Sequence, residues 1–268
     1  MLDKEKIQFF HENGYQIFRN IIAIDIIEKV NFFLSSYISD ELKKACKEIG
    51  CNNENEIVSY ITKLAEVNDP RVNNLTKATR DTLSGHFSLA TRLSSQLLNI
   101  ATNQSIRSVL DQILVSNKLF LHLPPMARFV LPGNDYAGVP AHQDISYNKH
   151  ITDFVTVWVP LVNIDELCGG VTVYHGSGNS SEIPIASGRK YFWLKGVSVD
   201  SFTPQHFNMK VGDILLLNKR IVHASEANRS ERIRISIDFR VFNEQAVSEK
   251  HHMNLQTREV ISPMECQG

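Results

Sequence analysis

The stretch VPAHQDISYN, residues 139–148, places His142 and Asp144 two positions apart, after a Gly/Pro-rich turn and before an apolar run. In an extended segment alternate side chains share a face, so both groups could grip one ion. A lone His-x-Asp triplet is common by chance, and the bland reading is a hydrogen-bonded loop histidine beside a turn aspartate. His223 shifts the balance: it follows the strand-like GDILLLNKRIV and offers a second imidazole. Two imidazoles and one carboxylate form the facial set that leaves coordination positions open on Fe(II). A structural zinc site would close its coordination with four protein ligands.

A positive charge belongs to the same picture. RIRISIDFRVF alternates strictly, with Ile233, Ile235, Ile237 and Phe239 on one face and Arg234, Ser236, Asp238 and Arg240 on the other. One reading solvates the polar face. The other lays the apolar face on helices and lets the polar face line a ligand-filled barrel mouth, where Arg234 would clamp a carboxylate and Ser236 would add a hydroxyl. Beside a metal triad, the second reading is the better one.

These residues need a scaffold. The first 117 residues read as mostly helical. Asp3 can cap a helix that Gly14 stops. Ile26, Val30, Phe33, Leu34 and Tyr37 form one stripe, and Asn55–Ala65 and Ile106–Leu114 show similar patterns. After Asn117 short strands with Gly/Pro turns take over: KLFLHLPPMARFVLPG, DFVTVWVPLV, GGVTVYHGSGN and the two segments above. The expected fold is mainly β with flanking helices, a double-stranded β-helix (jelly roll, cupin-like) core backed by N-terminal helices. One domain over residues 1–268 is expected, with helical support to 117, the jelly roll over 118–245 and a C-terminal tail over 246–268. The Gly/Ser-rich stretch Gly176–Gly188 reads as a long loop that could serve as a lid, with Arg189 and Lys190 following it.

The chain has 268 residues, 43% hydrophobic and 21% charged, with net charge −1. That balance argues against a nucleic-acid or membrane-surface partner and for a small-molecule one. Cys46, Cys51, Cys168 and Cys266 lack paired spacing, so free thiols in a reducing compartment are expected. No apolar leader or span is evident, and a cytoplasmic location is expected.

At these residues the chain resembles the phytanoyl-CoA hydroxylase family of Fe(II)/2-oxoglutarate-dependent dioxygenases. IQFFHENGYQIFRNII is similar to the family's helix-turn-strand opening and HQD to its first metal motif. VTVWVPLVNIDELCGGVTVYHGSGN resembles its central strand pair, and KVGDILLLNKRIVHASEANRSERIRIS the stretch with the second metal histidine and the oxoglutarate arginine. The resemblance implies His142, Asp144 and His223 as metal ligands, and Arg234, assisted by Ser236, as the partner of the far carboxylate of 2-oxoglutarate. It also implies Trp158 beside the co-substrate, with a plain core tryptophan as the alternative. Thr156, on the same strand face, could bond the co-substrate or be a plain buried threonine. Tyr147, His122 and Arg128 could meet substrate, though a strand-face filler, a core histidine and a partner of an acidic neighbour are the ordinary readings. His175 departs from the family's Pro-Gly-Ser-His type turn and is not carried over. His150, His206, His251 and His252 carry no usable pattern.

The implied reaction uses Fe(II), 2-oxoglutarate and O2 to hydroxylate an unactivated C–H bond of a metabolite, releasing succinate and CO2, in specialised biosynthesis. Related halogenases carry a small residue where Asp144 stands, which argues against halogenation. Desaturation, cyclisation or epimerisation on the same scaffold, a cupin-like enzyme without 2-oxoglutarate, and a non-catalytic binding module remain the alternatives.

Overall fold

The computed structural model describes residues 4–53, 56–60, 74–187, 192–194 and 199–263. Helices come first. α1 (Lys4–Asn13) ends where Gly14 turns left-handed at φ +81, a conformation and a contact with Asn218 that a side chain would not tolerate. β1 (Tyr15–Phe18) then leads to the long α2 (Ile24–Ile49). Four short helices follow: α3 (Lys77–Leu83), α4 (Leu89–Arg92), α5 (Ser95–Ala101) and α6 (Gln104–Ile113). Each starts on a side chain that accepts from an early backbone N–H: Thr76, Ser88, Ser94 and Asn103 respectively.

The strands follow in order: β2 (Leu119–His122), β3 (Met126–Val130), β4 (Val139–His142), β5 (Val155–Pro160), β6 (Val171–His175), β7 (Ile185–Ser187) and β8 (Phe192–Leu194). They continue with β9 (Thr203–Gln205), β10 (Ile214–Asn218), β11 (His223–Ser225), β12 (Arg234–Asn243), β13 (His252–Asn254) and β14 (Val260–Ile261). The large antiparallel sheet runs β1-β10-β5-β12-β2-β13-β14, with β3 also on β12, and the small one runs β4-β11-β6-β9. β7 and β8 form a separate hairpin. This is the jelly-roll arrangement expected from the strand pattern. β1, from the helical N-terminal region, and β13 and β14, from the segment read as a tail, all enlarge the large sheet.

Alternation decides what each face of that sheet meets. Ile235, Ile237, Phe239 and Val241 of β12 and Val155, Val157 and Val159 of β5 share one core cluster with Ile27, Val30, Leu34 and Ile38 of α2. The stripe of α2 thus centres on Ile27 and Ile38, while Ile26, Phe33 and Tyr37 are only partly buried at its edge. α6 buries Ile106, Val109, Leu110 and Ile113 as its pattern predicts. The opposite face of β12 turns Arg234, Ser236, Asp238 and Arg240 toward a cavity. The Asp3 cap, most of the Asn55–Ala65 stripe beyond Tyr60, Gly188, Arg189, Lys190 and Cys266 lie outside the described residues. None of Cys46, Cys51 and Cys168 is in a disulfide. Among the described residues no helix is long and apolar enough to cross a membrane.

Candidate active site

His142 ends β4 and His223 begins β11, and the two are direct register partners across the small sheet. Asp144 follows two residues later at the head of a short 3-10 turn. Gln143, between them, points away. It is fully buried, donates to the Arg220 carbonyl at 2.6 Å and accepts from the Ile183 amide at 2.8 Å. The alternation of the triplet therefore divides labour: Gln143 pins the segment to its neighbours, and its flanking residues face the cavity.

Each imidazole is held by its other nitrogen. His142 Nδ1 donates to the Pro140 carbonyl at 2.8 Å and His223 Nδ1 to the Ile221 carbonyl at 3.0 Å. A carbonyl only accepts, so each ring carries a proton on Nδ1 and, when neutral, presents the Nε2 lone pair. Those Nε2 atoms lie 3.7 and 4.0 Å from Asp144 Oδ1, and the three groups offer ligand atoms all within 4.8 Å of one another. All three residues are buried.

Asp144 is held from two further sides. Thr156 Oγ1 donates to its Oδ2 at 2.5 Å and Arg240 Nη2 to its Oδ1 at 3.0 Å. Arg240 also donates to Asp238 at 2.5 Å, so one partly buried guanidinium bridges two carboxylates. Burial opposes ionisation of Asp144, but Arg240 and the two imidazoles outweigh it and hold the carboxyl well below its usual range. Burial, and then the neighbouring His142, push His223 down to about 4. The triad is thus a carboxylate with a neutral imidazole at His223 at neutral pH, the protonation a cation needs.

A pH prediction follows for the metal-free protein. The folded state holds His223 near 4 against about 6.5 in an unfolded chain. The unfolded state therefore binds the extra proton first, and stability falls as pH drops from about 6.5 toward about 4. Denaturant melts of the apo-protein across that window should show this fall, and His223→Gln should lessen it.

Arg234, at the start of β12, is 3% exposed. It donates to Ser225 Oγ at 2.6 Å and to the Glu226 carbonyl at 2.7 Å, with a longer contact to the Cys168 carbonyl at 3.4 Å. Gly169, at φ +72, lets the Cys168 turn close on this guanidinium, since a side chain there would come within 2.9 Å of Nη1. Burial pulls Arg234 down to about 10, which leaves it cationic at neutral pH. Among the described residues it has no carboxylate partner. A buried charge with only neutral partners is costly, so the position suits a ligand carboxylate.

The residues read from the sequence as metal, co-substrate or substrate contacts (His142, Asp144, His223, Arg234, Ser236, Trp158, Thr156, Tyr147, His122 and Arg128) all line one cavity of about 430 Å³. The contacts refine their placement. Trp158 and Thr156 share a face of β5, opposite Asp238 and Arg240 of β12. Thr156 spends its hydroxyl on Asp144 rather than leaving it for a co-substrate. Tyr147 stands edge-on to His142 with ring centroids 5.1 Å apart. Arg128, opposite Ser236 in register, donates to the Ser84 and Ala137 carbonyls at 3.2 and 2.7 Å, and its charge acts on Arg234. It therefore belongs to the Arg234 end of the cavity. His122 Nε2 lies 3.3 Å from His150 Nε2. His175 meets Tyr15 at 3.2 Å and is not among the lining residues.

Arg240, Asp238, His150, Arg92 and Lys250 also line the cavity and were not picked out by the motifs. For Arg240 and Asp238 the signal was present, because strict alternation puts them on the face of Arg234.

The sequence model of the phytanoyl-CoA dioxygenase family matches residues 10–236. Solved structures share the fold at low identity. The epimerase SnoN in complex with Fe3+, alpha ketoglutarate and nogalamycin RO is 14% identical with a TM-score of 0.61, over 91% of this chain and 85% of that one. The non-heme monooxygenase ThoJ is 14% identical with a TM-score of 0.61, over 97% and 88%. EvdO2 from Micromonospora carbonacea var. aurantiaca, complexed with 2-oxoglutarate, is 13% identical with a TM-score of 0.58, over 92% and 93%.

Proposed function

This chain belongs to the phytanoyl-CoA dioxygenase family, and on that premise we propose that it is an Fe(II)- and 2-oxoglutarate-dependent oxygenase that hydroxylates a C–H bond of a small metabolite. The observation that carries the reading is Arg234: a buried cation without a carboxylate partner among the described residues, in the same cavity as a complete His142–Asp144–His223 set. Arg234 bonds Ser225, two residues along β11 from His223. That spacing is about 6.6 Å at strand rise, within reach of a short diacid that also touches the metal.

The donor set fits the metal. Two free Nε2 atoms and one ionised carboxylate suit Fe(II), and the open side faces the cavity. When bound, iron and 2-oxoglutarate together supply oxidation of a C–H bond by O2, with release of succinate and CO2. The chain's own residues do the rest. Arg234, with Ser236 beside it, holds the far carboxylate. Trp158 walls the pocket. Arg240 and Thr156 fix the orientation of Asp144 and keep it anionic. The Nδ1 bonds of both histidines lock their rings.

Asp144 favours hydroxylation over halogenation, because it fills the position a halide would need. The fold shared with SnoN and ThoJ supports a role in the modification of a specialised metabolite. A cavity of about 430 Å³ suits such a substrate. The test is conversion of 2-oxoglutarate to succinate by the Fe(II)-loaded protein in air, screened against small metabolites for acceleration and for a hydroxylated product. Fe(II)-dependent succinate that vanishes in His142→Ala is expected. A protein that binds Fe(II) yet forms no succinate under any condition contradicts the reading.

A further inference from the structure

The cavity lining carries five cationic side chains, Arg92, Arg128, Arg234, Arg240 and Lys250, against two carboxylates, Asp144 and Asp238. The proposed metal and co-substrate do not remove this excess, since two positive charges arrive with two negative ones. The cations divide by place. Arg234 and Arg128 stand together at the end where β3 and β12 pair through Val130 and Arg234. Arg240 is matched to Asp144 and Asp238. Arg92 and Lys250 are left over, and neither has an ion-pair partner among the described residues.

Arg92 is the more telling of the two. It closes α4, is half-buried, and its guanidinium rests on the Met126 thioether at 2.8 Å, a weak acceptor. Its Nε is buried and has no hydrogen-bond partner among the described residues. The carboxylates whose charge reaches it, Asp238 and Asp81, are already engaged, the first by Arg240 at 2.5 Å and the second by Lys77. Met126 faces Asp238 across β3 and β12, four residues along β12 from Arg234, so Arg92 stands away from the Arg234 end of the cavity. The wall also holds the His122–His150 pair. Burial and surrounding positive charges push His122 down to about 3, which makes it a neutral imidazole in a positive field. Lys250 is exposed beside this pair.

Resting on the oxygenase reading above, we infer that the substrate carries a compact oxyanion, a carboxylate or a phosphate monoester, that docks on Arg92, with Lys250 drawing it in from the rim. A guanidinium fork left half-buried without a counter-charge matches such a group in both shape and charge. The exposed ammonium adds long-range attraction that salt would screen. With the anion held on Arg92, the rest of the substrate would extend into the cavity that the metal ligands also line.

The test uses the Fe(II)- and 2-oxoglutarate-loaded protein under nitrogen, so that Arg234 is already occupied. Hexanoate, hexyl phosphate and hexan-1-ol are titrated in by calorimetry. At least one anion is expected to bind roughly ten-fold or more tighter than the alcohol, the scale of a charged hydrogen bond. Whichever anion binds better identifies the oxyanion. Arg92→Gln should abolish that preference while hexanol affinity and the visible band of the iron–oxoglutarate chelate stay unchanged. Lys250→Gln should weaken the anion only two- to three-fold and reduce its salt dependence. Equal binding of the alcohol and both anions overturns the inference, as does an Arg92→Gln protein that keeps the preference. Failure of the wild-type chelate band to form would strike the oxygenase reading instead, and the two results are read separately in one sample.

Discussion

Arg234→Ala is expected to weaken 2-oxoglutarate binding to the Fe(II)-loaded protein by roughly 3–5 kcal/mol, the cost of leaving one member of a buried pair alone. That is about a hundred-fold or more in Kd. The guanidinium is 3% exposed and held by Ser225 and the Glu226 carbonyl, so its position is set before any ligand arrives. Fe(II) affinity should change little, because the hydrogen bonds of Arg234 go to Ser225, Glu226 and Cys168 rather than to His142, Asp144 or His223. Arg234→Lys should recover only part of the loss, since an ammonium offers charge without the planar fork. Calorimetry of 2-oxoglutarate against each metal-loaded variant reads the effect. An unchanged Kd in Arg234→Ala would remove the residue from the co-substrate site.

The second large effect is expected at Arg240. Its guanidinium bridges Asp144 and Asp238. Arg240→Met keeps much of the side-chain volume but leaves the buried Asp144 and the partly buried Asp238 without their shared cation. The metal-free variant should lose about 3 kcal/mol of stability, a fall of roughly 6–12 °C in Tm for a chain of this size. A divalent ion should restore part of that, because it resupplies positive charge to Asp144. The pH dependence has a definite sign. Arg240 is the largest influence lowering the Asp144 carboxyl. Its removal raises that pKa, so acid should strip the metal at a higher pH in the variant than in the wild type. Thermal melts with and without metal, across pH 4–8, check both parts. A metal-free Arg240→Met protein as stable as wild type would contradict the account of the bridge.

These two arginines also mark what the sequence carried. Both lie on one alternating strand, and period-two patterning alone puts them on the cavity side of β12, with Ile235, Ile237 and Phe239 against α2. The candidate metal set was legible because one extended triplet carries two of its residues and a following strand the other. What Arg240 pairs with was not legible, because Asp144 is 96 positions away and only the sheet register brings them together. The His122–His150 pair and the approach of Arg92 to Met126 depend on how loops fold over the sheet, and no local pattern encodes that. The same limit applies at the C-terminus. β13 is three residues long and finds its place by pairing with β2 and β14, so the segment read as a tail. In α2 the helical period was clear but its phase was off by one residue, because Ile26 and Ile27 are equally apolar and the contact with the sheet decides between them.

The central claim is that one cavity holds Fe(II) on His142, Asp144 and His223 and 2-oxoglutarate on Arg234 at the same time. The most direct measurement is the visible spectrum of the apo-protein under nitrogen as Fe(II) and then 2-oxoglutarate are added. A weak charge-transfer band is expected only after the second addition, absent in His142→Ala and requiring far more 2-oxoglutarate in Arg234→Ala. Iron binding without such a band at any 2-oxoglutarate concentration would contradict the claim and leave a metal site that works without this co-substrate.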